Sequence, residues 1–126
     1  MSEERAHAFF DHAIKKLNEA NDELFRPEED MVTFTVCKNS QFAVESYLKG
    51  YLTKNNVSLD GLDTIELLFN ACKKINKNFE RIDFKGFDCI GHKIDSRYCN
   101  ETERVSNCFN IADSIDTLLR KEKIIS

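Results

Sequence analysis

QFAVESYLKGYL, Gln41 to Leu52, is the stretch whose reading decides the fold. Val44, Leu48 and Tyr51 recur at helical spacing, and Phe34 and Cys37 carry the same stripe toward the N-terminus. Val36, Ala43 and Tyr47 form a second line beside it. Ser40, Ala43 and Gly50 are small residues on that second line, which lets another helix lie close. An apolar surface this wide needs burial on more than one side, so the stretch predicts a central helix. Pro27-Glu28-Glu29-Asp30 is its start signal, a proline followed by carboxylates at the positive end of the helix dipole, and the helix is expected from about Asp30 to Lys54.

On the N-terminal side, Ser2 to about Phe25 reads as a first helix, with Ser2 as cap and Glu3 and Glu4 in its first turn. Phe10, Ala13, Leu17, Ala20 and Leu24 form the inward stripe; Lys15, Lys16, Asn18, Glu19, Asp22 and Glu23 cover the solvent side. On the C-terminal side, Asn55-Asn56 and Asp60-Gly61 are loop chemistry. Asp63-Thr64-Ile65-Glu66 reads as a capping box with Asp63 as cap, opening a third helix whose stripe is Ile65, Leu68, Phe69, Cys72 and Ile75. A short helix is expected around Phe84 to Asp95. Asn100-Glu101-Thr102-Glu103 then opens a last helix to about Lys123, with Val105, Cys108, Phe109, Ala112, Ile115 and Leu119 inward. The expected fold is one all-α domain over residues 1–126, an up-and-down bundle of four long helices plus one short helix.

Composition agrees with that reading. Ten Phe, one Pro and four Gly in 126 residues favour long helices over a many-turned β fold. No apolar run approaches the roughly 18 residues that a membrane span needs, so no membrane partner is expected. MSEERAHAFF is acidic where a secretory signal would be basic. Cys37, Cys72, Cys89, Cys99 and Cys108 are odd in number and lack a CxxC, which suits a reduced, cytoplasmic chain. A net charge of -4 disfavours a nucleic-acid binder that relies on a global positive field.

The chain resembles the HEPN family (higher eukaryotes and prokaryotes nucleotide-binding). In that family the second helix commonly reads Gln/Ala-x-Ala-x-Glu-x-x-Leu-Lys-Ala. The counterpart here is Gln41, Ala43, Glu45, Leu48 and Lys49, with Gly50 in place of the final Ala. An Arg-Tyr-Pro before the last helix is matched by Arg97-Tyr98-Cys99, without the Pro. The order of elements matches over most of the chain. The resemblance implies an all-α homodimer acting with a nucleotide or RNA, often beside a small nucleotidyltransferase partner. It also implies a metal-independent ribonuclease of toxin–antitoxin type, where an Arg is followed a few positions on by a His. Arg97 has no His after it, because His92 is the last histidine. Arg5 and His12 have a permissible gap but sit on the first helix, away from the family's site. The missing pair argues for binding over catalysis.

Each candidate residue also has a plain structural reading. Glu45 and Lys49 are in the favourable order for an i,i+4 ion pair at the edge of the apolar face, or they line a phosphate-binding cleft. Arg97 and Tyr98 either anchor the entry to the last helix or offer a guanidinium and a stacking ring to a nucleotide. Lys73, Lys74, Lys77 and Arg81, with Lys85, form the most basic run; a solvated helix end explains it as well as a nucleic-acid track. Cys89-x-x-His92 with Cys99 and Cys108 has zinc-type ligands but no second paired motif, so no metal and no cofactor are expected. His7 and His12, near the chain end, are assigned no role. No Walker loop, GxGxxG, HExxH or GxSxG occurs. Three functions follow from these residues: a non-catalytic HEPN-like binding module, an unusual ribonuclease using Arg97 with His92 or Tyr98, and a purely structural bundle.

Overall fold

A computed structural model describes residues 2–24, 33–82 and 102–125. Four α-helices, α1 (Ser2–Leu24), α2 (Thr33–Lys54), α3 (Ile65–Ile75) and α4 (Thr102–Lys121), and a 3-10 turn at Lys77–Arg81 make an all-α bundle, with no strand among the described residues. The expected start of α2 at Asp30 and the expected short helix at 84–95 lie outside them. Among the described residues, the 3-10 turn at Lys77–Arg81 is capped by the Asn76 side chain, which accepts the Asn78 N–H at 2.9 Å.

The central position of α2 follows from what surrounds it. It touches α1, α3 and α4. Val36, Ala43, Val44, Tyr47, Leu48 and Leu52 are fully buried, and so are the polar Ser40 and Gln41. Toward α1 the close approach occurs at Gly50: a Cβ there would stand 2.6 Å from Phe10 Cε1 and 3.1 Å from the Phe9 Cβ. Gly50 meets Phe10 near the start of α1, whereas Phe42 lies near Lys16 further along it, so the two helices run antiparallel. Toward α4, the Tyr47 hydroxyl donates to Asp116 Oδ1 at 2.5 Å, and the Arg120 Nε–H donates to Asp116 Oδ2 at 2.8 Å. Burial first, and then the Asp116 bond, push the Tyr47 phenol well above its ordinary range. Toward α3, the Cys72 thiol donates to the Leu48 carbonyl at 3.6 Å, and burial pushes that thiol up to about 12.

Helix ends are made by local chemistry. α2 ends at Lys54 and the chain turns away at Asn56, whose φ of 61° is left-handed; Asn56 N–H bonds to the Thr53 carbonyl and Val57 N–H to the Leu52 carbonyl. α4 repeats the device at Lys123, with φ 60° and bonds to Arg120 and Leu119. Asp60-Gly61 makes the expected turn, with Gly61 at φ 80°. The Lys77–Arg81 turn is fastened on both sides. Phe79 is buried, 4.9 Å edge-on to Tyr51 and 6.4 Å from Phe69. Asn76 and Asn78 each donate an amide N–H to Glu122, at 2.6 and 2.9 Å, and so tie the end of α3 to the end of α4.

Three expectations are corrected. The cap of α3 is Thr64 rather than Asp63: its hydroxyl accepts the Leu67 N–H at 3.2 Å, because the first helical residue is Ile65. Ile75 is 40% exposed instead of inward, because α3 ends there and the chain turns to an extended Asn76. Glu23, expected on the solvent side, is buried.

Candidate binding groove between α1 and α2

The buried stripe of α1 is Ala6, Phe10, Ala13, Leu17 and Ala20. Arg5, Phe9, His12 and Lys16 recur at the same helical spacing on the adjoining line. On α2, Phe42, Glu45, Ser46 and Lys49 share a face for the same reason. Antiparallel packing brings these two faces together. The resulting groove, of about 520 Å³, is lined by Arg5, Ala8, Phe9, His12, Phe42, Glu45, Ser46 and Lys49.

Two aromatic residues, Phe9 and Phe42, line this groove together with the charged Arg5, Glu45 and Lys49. Lys49 donates to Glu45 Oε1, with both side chains half-buried. The other carboxylate oxygen, Oε2, is buried and accepts no hydrogen bond. The Lys16 and Lys38 ammonium groups stand 5.9 and 5.7 Å from the centroid of the Phe42 ring. That is cation–π range, so Phe42 faces a positive surround. Lys16 is also paired with Glu19 at 3.2 Å. Arg5 additionally lines an adjoining polar groove of about 400 Å³ with Thr53, Asn56, Ser58 and Asp60, which extends the polar surface past the end of α2. Chemically, the α1–α2 groove offers flat apolar faces, cations beside them, one carboxylate and one imidazole.

Glu45 and Lys49, singled out in the sequence, therefore meet in the groove as an ion pair. Arg97 and Tyr98 lie outside the described residues. Lys73, Lys74 and Lys77 come together elsewhere, at a depression beside α3 that Arg81 does not line. Among the described residues no three His, Cys, Asp or Glu side chains are grouped to hold a metal ion; Cys89, His92 and Cys99 lie outside them. Phe9 and Phe42 are the residues that sequence reasoning missed, whereas Arg5 and His12 were noted there as a spaced pair on the first helix and set aside. For the three on α1 the signal was a secondary line, two turns long from Arg5 to His12, that faces neither the core nor open solvent alone; Phe42 shares the α2 face of Glu45 and Lys49. Compared with protein-family models, curated proteins and solved structures, the chain matches none of them.

Proposed function

We propose that the chain is a non-catalytic helical module that binds a nucleotide-bearing ligand, free or within RNA, in the α1–α2 groove. One observation carries this reading: Phe9 and Phe42 line the same groove as Arg5, His12 and Lys49. Bases stack on aromatic faces without regard to sequence, while guanidinium and ammonium groups take the phosphates. Glu45 holds Lys49 in the groove through their ion pair. The resemblance of Gln41 to Gly50 and of Arg97-Tyr98 to the HEPN family points to the same ligand class, to a homodimer and to a small nucleotidyltransferase as partner.

Titration calorimetry with ATP, GTP, adenosine and inorganic triphosphate tests the ligand. A nucleotide is expected to bind more tightly than either half alone, and Phe42→Ala and Arg5→Ala are each expected to weaken it about tenfold. No binding would leave a purely structural bundle, and binding that both substitutions leave unchanged would move the ligand out of this groove. Light scattering tests the dimer, and a monomer at high concentration counts against it.

A second reading, a metal-independent ribonuclease of toxin type, is favoured by one juxtaposition. Arg5 and His12 face the same groove, so an imidazole that exchanges the proton of a ribose hydroxyl would sit with a guanidinium that neutralises the phosphate. RNA incubated with the pure protein under chelator decides between the two. Cleavage abolished by His12→Ala and by Arg5→Ala favours the enzyme; no cleavage favours the binding module.

A further inference from the structure

We infer that the outward face of α3 docks an acidic amphipathic helix of a partner protein. Ile65, Leu68, Phe69 and Cys72 bury the inner face of this helix, yet its outer face is not a plain polar surface. Leu67 and Ile75, 43% and 40% exposed, are the large hydrophobics exposed among the described residues, and both belong to α3. Leu67, Ala71 and Ile75 follow one another at one-turn spacing, and a depression of about 690 Å³ lies along Leu62, Leu67 and Ala71. Lys73, Lys74 and Lys77 line it too, with one carboxylate, Glu80.

The sign of this surface identifies the occupant. The chain carries a net charge of -4, but this face is locally positive. Lys73 and Lys74 suit the negative end of the α3 dipole, whereas Lys77 opens the following turn, where a dipole would favour an acid. The Lys73 ammonium stands 5.1 Å from the Phe69 ring centroid, in cation–π range. A phosphate backbone gains from lysines and gains nothing from Leu62, Leu67 and Ala71. An amphipathic helix uses both: apolar anchors at i, i+4 and i+7 enter the depression, and flanking Glu or Asp residues meet the lysines.

The test uses the full chain and a fluorescein-labelled synthetic helix with leucines at i, i+4 and i+7 and glutamates beside them. Its scrambled isomer, its lysine twin and a labelled oligoadenylate are the competitors. Anisotropy should show the acidic amphipathic peptide bound at least about tenfold tighter than its scramble, with binding weakened by salt. Leu67→Asp and Lys74→Glu, both at exposed positions, are each expected to cost about tenfold with the helical circular dichroism unchanged. Equal binding of the scramble, absence of binding, preference for the oligoadenylate, or indifference to Leu67→Asp overturns the inference. Arg5→Ala should leave peptide binding intact, which keeps this test separate from that of the α1–α2 groove.

Discussion

α2 and α3 meet where the Cys72 thiol reaches the Leu48 carbonyl, yet the two helices are built for opposite surroundings. α3 has a clean stripe and one buried face. α2 buries Ser40, Gln41, Ser46 and Thr53 along with its apolar residues, so its pattern is blurred. The blur is the more informative of the two. A sharp stripe marks a helix with one wet side, whereas a helix wrapped by three neighbours spends small polar residues where backbones must come close. Gly50 against Phe10 is the extreme case.

The largest expected effect tests this contrast at its core. Leu48→Ala on α2 should cost about 2–5 kcal/mol in urea unfolding, since a fully enclosed site cannot collapse around the lost atoms. A cost as small as that of a surface change would break the contrast between the helices.

Next comes the seam itself. The Cys72 thiol, ordinarily at 9.0, is held up to about 12 in the folded chain. Below pH 9 the folded state keeps all of that advantage. Between the two values the unfolded chain loses a proton that the folded chain retains, so stability falls by up to about 1.4 kcal/mol per pH unit. Cys72→Ala should remove this limb from a plot of urea midpoint against pH. A later loss should remain, because the raised Tyr47 phenol penalises the folded state only once pH passes its ordinary 10.0. Unchanged alkaline behaviour would place the thiol in contact with water.

Thr64→Ala removes the cap of α3 and should cost about 1 kcal/mol, while Asp63→Ala should cost less. The reverse order would restore the capping box expected from sequence. Smallest of all, Leu67→Ser on the outer face of α3 should stay within about 0.5 kcal/mol, which keeps it usable as a docking probe.

Much of the bundle was legible because burial and periodicity coincide. Phe10, Ala13, Leu17 and Ala20 on α1, and Phe109, Ala112, Ile115 and Leu119 on α4, are the inward residues that spacing predicts. Gly50 was legible as a point of close approach, and Phe10 is the neighbour it admits. Ends were harder to read. Asp63 and Thr64 are both good caps, and only the register of the first helical N–H groups separates them. Glu23 was misread because charge outweighed position in the reading. In the candidate groove, the half on α2 was visible as the Glu45/Lys49 pair, since an i,i+4 relation is local. The half on α1 was not. Which side line of α1 turns toward α2 depends on how two helices pack, and no residue of α1 alone encodes it.

The hydrogen bond from Tyr47 to Asp116 also bears on the order of assembly. Its partners are 69 residues apart in the chain, whereas α1 and α2 are sequence neighbours that can pair as a hairpin. Closing the longer loop carries the greater entropic cost, so α4 is expected to dock late, after α1 and α2 have paired and the barrier is passed. A contact made after the barrier leaves the folding rate alone and speeds unfolding when it is lost. Tyr47→Phe should therefore steepen escape from the native state without slowing its formation, which makes this buried phenol a latch on the lifetime of the fold.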